Sequence, residues 1–144
     1  MNEWVFEHTV ECGVSADFAW SYWSDINNWV VDVDVESVEL LGAFVAGTRG
    51  VTHSKSSGRI EWQLAEVIAP LRAVLEFPAP GVVARFAWSF EDVGGKARIT
   101  QRATVFGERM AEHDDTVRLL QAGIPAGMQK LCKTIEAAAR RSTQ

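Results

Sequence analysis

The chain has 144 residues, of which 47% are hydrophobic and 23% are charged, and its formal net charge is −5 at pH 7. This length and composition predict a single globular domain over residues 1–144 and exclude a disordered chain. The negative charge gives no basis for binding nucleic acid, and no apolar run is long enough for stable membrane insertion or has the pattern of a signal peptide.

The first part of the chain predicts a strand followed by two short helices. Residues 4–11 alternate between apolar and other side chains, which is typical of a half-buried strand. Ser15 is a preferred N-cap residue, so we expect a short helix to begin there. Asp25 has the same role before a second short helix that ends near Trp29.

The only cysteines are Cys12 and Cys132, and both lie in apolar-patterned segments without metal-type spacing. We therefore predict reduced core thiols in a cytoplasmic protein, with a disulfide as the less favoured alternative, and neither a metal nor a cofactor. Asp32, Asp34 and Glu36 share one side of a strand approach. We interpret them as a solvated acidic edge rather than a calcium site, because the turn and terminal ligand of a calcium loop are missing.

From Val33 onward the hydrophobic period becomes two, which predicts six further strands. The sequence Asp92-Val93-Gly94-Gly95 between the last two strands indicates a hairpin. Seven strands joined by short turns favour one antiparallel sheet. The six strands are expected at residues 35–41, 47–54, 60–68, 71–77, 82–91 and 96–106.

The last stretch, from about 112 to 141, predicts a long amphipathic helix. Pro125 lies in its middle, between Gly123 and Gly127, and removes one backbone donor, so we expect a kink or break there. The apolar residues recur at steps of three and four, and they are Val117, Leu120, Ile124, Met128, Leu131, Ile135 and Ala138.

Several short motifs follow one another in a recognisable order. They are segments 14–20 and 24–29, Gly42 with Gly47-Thr48, segment 62–70 with Arg72, Trp88-Ser89-Phe90 before the Gly-Gly hairpin, and the final helix. In this order the whole chain resembles the START-like, or SRPBCC, superfamily, which includes birch-pollen-allergen-like proteins, polyketide cyclases/dehydrases and lipid-transfer domains.

The resemblance implies an α+β helix-grip fold with the order β-α-α-β6-α. In such a fold a curved seven-stranded antiparallel sheet wraps around the long C-terminal helix and leaves an internal hydrophobic cavity. The resemblance carries over no catalytic residues, because members of the superfamily differ in activity and many only bind ligands.

Strand alternation and the helical stripe select the side chains expected to face this cavity. The polar candidates among them, His8, Glu66 and Gln101, either orient a ligand or pair locally, and local pairing is favoured for His8 and Glu66. His53 is assigned to neither face. The candidates are His8, Trp62, Glu66, Leu75, Phe77, Phe86, Trp88, Phe90, Gln101, Leu120, Ile124 and Met128.

These features lead us to expect a monomer or homodimer that binds a small hydrophobic molecule of lipid, polyketide or aromatic type. The first alternative is a polyketide cyclase/dehydrase-like enzyme acting in the same cavity, with His8, His53, Glu66 and Gln101 as its candidate polar groups. The second is a protein-interaction or chaperone-cofactor module, which would need an exposed apolar patch that the sequence does not show.

Overall fold

The computed structural model describes residues 3–29 and 35–142, so the predicted acidic edge at Asp32 and Asp34 lies outside the described residues. The second predicted helix is a short 3₁₀ turn. The elements are, in chain order, β1 (Glu3–Cys12), α1 (Ala16–Trp23), a 3₁₀ turn (Ile26–Trp29), β2 (Val35–Leu40), β3 (Arg49–Ser54), β4 (Gly58–Ile68), β5 (Arg72–Ala79), β6 (Val82–Val93), β7 (Lys96–Phe106), a second 3₁₀ turn (Met110–His113) and α2 (Asp114–Ser142).

The strands form one seven-stranded antiparallel sheet in the order β1-β7-β6-β5-β4-β3-β2. The turn between β6 and β7 consists of Gly94 and Gly95, whose φ angles are 61° and 82°. Positive φ at both positions suits a tight two-residue hairpin, and glycine adopts it without steric cost. Together with the long C-terminal helix, this sheet confirms the predicted helix-grip fold.

The beginning of α1 is fixed by two acceptors from different parts of the chain. The Ser15 hydroxyl accepts from the Phe18 N–H at 3.1 Å, as the N-cap pattern predicted. The Asp92 carboxylate, at the end of β6, accepts from the Ala16 N–H at 2.9 Å. These bonds satisfy backbone donors that a helix leaves free at its first turn, and they tie α1 to the sheet.

Helix α2 runs without interruption from Asp114 to Ser142 with Pro125 inside it, so the predicted break is wrong. Gln121, whose carbonyl loses its usual N–H partner at Pro125, is exposed. Water can therefore bind that carbonyl oxygen, and the helix continues past the proline. Among the residues that the structure describes, no helix is both long and apolar enough to cross a membrane.

The N-terminal strand and the C-terminal helix are joined covalently. Cys12 at the end of β1 and Cys132 in α2 form a disulfide, with their Cα atoms 5.5 Å apart. The predicted reduced thiols are therefore wrong, because a sequence separation of 120 residues hides the fact that β1 and α2 lie side by side. Next to this bond the Gly13 N–H donates to Glu136 Oε2 at 2.7 Å, which holds the same end of α2 against the strand.

Candidate ligand-binding cavity

A cavity of about 460 Å³ lies between the concave face of the sheet and α2. Small-molecule sites in proteins commonly have volumes of about 300–1,000 Å³, so this space suits a small ligand. Its wall is formed by Trp23 of α1, Asn28 and Trp29 of the 3₁₀ turn, Leu75 and Phe77 of β5, Phe86 and Trp88 of β6, Gln101 of β7, and Leu119, Leu120, Gly123, Ile124, Gly127, Met128 and Leu131 of α2.

The sheet side of the wall follows from strand register. Leu75 pairs with Phe86 across β5 and β6, and Trp88 pairs with Gln101 across β6 and β7. Paired residues in neighbouring strands point to the same face, and so do residues two apart in one strand. Regular alternation in these strands therefore brings large apolar side chains and one amide to the same surface.

Aromatic rings pack against this surface and fill the space beside the cavity. The Trp23 ring lies 5.1 Å from the Trp88 ring and 5.3 Å from the Phe90 ring, measured between centroids. The Trp29 ring lies 5.4 Å from the Trp62 ring. Trp62 and Phe90 are each only 2% exposed and lie behind the wall. The cavity is thus the volume left between this aromatic cluster and α2.

Gln101 is the most buried polar residue of the cavity wall. It is 8% exposed, and within the described ranges its side-chain amide has no hydrogen-bond partner. No described side-chain nitrogen or oxygen is both fully enclosed and unpaired, so the amide is reached from the cavity. A donor and an acceptor are therefore available to a molecule in the cavity.

Asn28 supplies a second polar group to the wall. Its Nδ2 donates to the Tyr22 carbonyl oxygen at 2.8 Å, which fixes the orientation of the amide. The Oδ1 atom remains as an acceptor. Next to it, the Trp29 indole N–H donates to the Trp23 carbonyl oxygen, which holds the Trp29 ring in the wall. The cavity wall consequently combines mainly apolar side chains with the two side-chain amides of Asn28 and Gln101.

The structure brings most of the predicted candidates to the cavity. Four lie elsewhere, namely His8, Trp62, Glu66 and Phe90. The sequence reasoning missed wall residues on the helical segments, although the apolar stripe of α2 already contained Leu131. The candidates that line the cavity are Leu75, Phe77, Phe86, Trp88, Gln101, Leu120, Ile124 and Met128, and the missed residues are Trp23, Asn28, Trp29, Leu119, Gly123, Gly127 and Leu131.

Glu66 lies on the opposite side of the sheet from the one that alternation predicted. A register shift between Leu64 and Glu66 marks a β-bulge, which reverses the alternation along the rest of β4. Val67 therefore packs toward the core, and Glu66 accepts from Arg72 Nε at 2.9 Å, with both side chains more than 40% exposed. Glu66 is a surface ion-pair residue.

The two candidate histidines, His8 and His53, are also placed away from the cavity wall. His8 is half-buried on β1, opposite Gln101 in the register, but does not line the cavity. His53 follows Thr52, whose hydroxyl accepts from the Trp62 indole N–H at 3.0 Å on the concave side. Because successive strand residues point to opposite faces, His53 belongs to the outer face.

Three solved structures share this architecture over nearly the whole chain. Ara h 8.0201 has a TM-score of 0.74 at 14% identity, over 95% of this chain and 97% of the other. The ZhuI aromatase/cyclase from Streptomyces sp. R1128 has a TM-score of 0.74 at 14% identity, over 99% and 97%. Norcoclaurine synthase from Thalictrum flavum, in complex with dopamine and hydroxybenzaldehyde, has a TM-score of 0.73 at 15% identity, over 93% and 86%.

These identities show similarity of fold alone. They confirm at that level the predicted resemblance to START-like, or SRPBCC, proteins. No protein-family model and no curated protein sequence matches the chain.

Proposed function

We propose that this protein binds a small, mainly apolar molecule that carries at least one hydrogen-bonding group. The observation that supports this most is the buried amide of Gln101, which lines a cavity of about 460 Å³ without a partner among the described residues. Binding sites for small molecules combine an apolar wall with a few placed polar groups that fix the orientation of the ligand.

The wall also favours a ligand that contains rings. Trp23, Trp29, Phe77, Phe86 and Trp88 all line the cavity. Aromatic side chains make large apolar contacts and prefer stacked or edge-to-face partners. A ring-containing ligand would find both geometries here. The dopamine and hydroxybenzaldehyde of the norcoclaurine synthase complex are ring compounds of this kind, bound to a protein of the same fold.

The proposal is restricted to binding. Of the candidate groups for a cyclase/dehydrase reaction, only Gln101 lines the cavity. Glu66 is paired with Arg72 on the surface, and His53 faces outward. A glutamine amide orients a substrate but does not exchange protons near neutral pH, so it does not serve as a general acid or base.

The test uses 1-aminoanthracene, a neutral fluorescent ring compound with one amine, and anthracene, which lacks the amine. We expect saturable binding of 1-aminoanthracene with quenching of tryptophan emission, because Trp23, Trp29 and Trp88 lie in the wall. At a free concentration of 100 times its Kd, the ligand should stabilise the fold by about 2.7 kcal/mol. If binding of 1-aminoanthracene does not saturate and the Tm does not rise in its presence, the proposal is contradicted.

The role of the amide is tested by Gln101→Leu. This variant should weaken 1-aminoanthracene binding by roughly tenfold, the effect of losing one hydrogen bond in a buried site, and leave anthracene binding unchanged. The matched control is Gln63→Leu, because Gln63 is an exposed glutamine of β4. Equal loss for both compounds would show that Gln101 acts only through packing.

A further inference from the structure

One side of α2 carries a column of four residues spaced four apart, Leu119, Gly123, Gly127 and Leu131. Residues at this spacing lie above one another on the same side of a helix. All four line the cavity. The column therefore has a large side chain at each end and no side chain at its two middle positions.

The two glycines in the middle of this column are exposed at the surface and also line the cavity. Apart from its chain neighbours and the adjacent helix backbone, a Cβ atom at either Gly123 or Gly127 would meet no atom within 4 Å. Leu119, at one end, is 73% exposed although it lines the cavity. Leu119, Gly123 and Gly127 thus belong both to the cavity wall and to the surface of the molecule, as expected of residues at an opening.

The dimensions of this gap follow from helix geometry. The two glycines are separated by roughly 6 Å along the helix axis, and the two leucines by roughly 18 Å. The neighbouring column of α2 is closed, because Ile124 and Met128 are 7% and 2% exposed. The opening is therefore confined to one flank of the helix.

Packing does not explain why glycine stands at these positions. Glycine is unfavourable inside a helix relative to alanine, and here an added Cβ atom would have open space around it. At these two positions the cavity wall is therefore exposed backbone without a side chain. A second observation points to a ligand in the cavity, since the unpaired amide of Gln101 is more than nine-tenths buried in the wall of the same cavity.

We infer that the gap at Gly123 and Gly127 is the passage through which the ligand enters and leaves the cavity. The inference rests on the proposed function, because a passage matters only if the cavity takes up a ligand. Side chains added at the glycines should slow both uptake and release. Shortening Leu119, at the edge of the gap, should speed both, since this side chain is already mostly exposed and contributes little to the core.

The experiment measures association and dissociation rates of 1-aminoanthracene by stopped-flow fluorescence. The double variant Gly123→Leu/Gly127→Leu should lower the association rate at least roughly tenfold, whereas changes at one interface usually act mainly on dissociation. Leucine is a better helix former than glycine, so Tm should not fall. The matched control is Ala126→Leu, because Ala126 is exposed on the same helix and does not line the cavity.

The second variant, Leu119→Ala, makes the test independent of how well the double variant folds. Faster association and release in Leu119→Ala, with slower rates in the double variant, would support the passage. Wild-type rates in both variants would overturn it while leaving ligand binding intact. Absence of 1-aminoanthracene binding by the wild-type protein would instead count against the proposed function, and the passage would fall with it.

Discussion

The indole of Trp62 on β4 lies directly against Gly50 on β3, where a Cβ atom would overlap the ring. The indole N–H is bound to Thr52 Oγ1, and the ring stacks on Trp29 at a centroid distance of 5.4 Å. Trp29 lines the cavity. The absence of a side chain at Gly50 therefore sets the position of a ring that supports the cavity wall.

Gly50→Ala should destabilise the fold because the methyl group has no space beside Trp62, which is 2% exposed and held by its hydrogen bond. Overpacking of a well-filled core typically costs about 1–3 kcal/mol. The free energy of unfolding, measured with urea, should fall by that amount. The control is Gly123→Ala, which has open space and should stabilise the helix by up to about 1 kcal/mol. Equal changes in the free energy of unfolding for Gly50→Ala and Gly123→Ala would contradict this explanation.

Glu66→Ala should leave 1-aminoanthracene affinity unchanged, although strand alternation predicted Glu66 to face the cavity. Glu66 and Arg72 form an exposed pair on the outer face, and such pairs contribute about 0–1 kcal/mol to stability. 1-Aminoanthracene is titrated into Glu66→Ala and, for comparison, into Gln101→Leu. A loss of affinity in Glu66→Ala as large as that in Gln101→Leu would place this carboxylate near the ligand and would contradict the described geometry.

Regular strands made part of the site predictable from sequence. Leu75, Phe86, Trp88 and Gln101 lie where alternation placed them, because β5, β6 and β7 pair without a register shift. Glu66 was misplaced because a bulge inserts one residue without a distinctive sequence signal.

The rest of the wall was not predictable from local pattern. Trp23, Asn28 and Leu119 come from helical segments whose position over the sheet depends on tertiary packing. The pairing of Cys12 with Cys132 was missed for the same reason, since it depends on how α2 lies along β1. Periodicity identified the elements, and the resemblance implied the helix-grip fold, but neither gave the contacts between distant elements.

Asp92→Ala should destabilise the start of α1. The Asp92 carboxylate accepts from the Ala16 N–H at 2.9 Å, and a negative charge at a helix N-terminus is favourable. Losing such a cap costs roughly 1 kcal/mol. Asp92→Asn is the matched control, because it keeps an oxygen acceptor without the charge. Its free energy of unfolding should fall less than that of Asp92→Ala. If the free energy of unfolding of Asp92→Ala equals that of the wild type, the bond has no structural role.

Removing the disulfide should produce the largest loss of stability among these predictions. Cys12 and Cys132 are 120 residues apart in sequence, and cross-linking residues so distant restricts the unfolded chain by about 4–5 kcal/mol. The double variant Cys12→Ala/Cys132→Ala should therefore unfold at a clearly lower urea concentration than the oxidised wild type. A phosphine reductant should lower the wild-type midpoint toward that of the variant and leave the variant itself unchanged. Two reactive thiols in the purified wild type, with a midpoint insensitive to reductant, would show that the bond does not form.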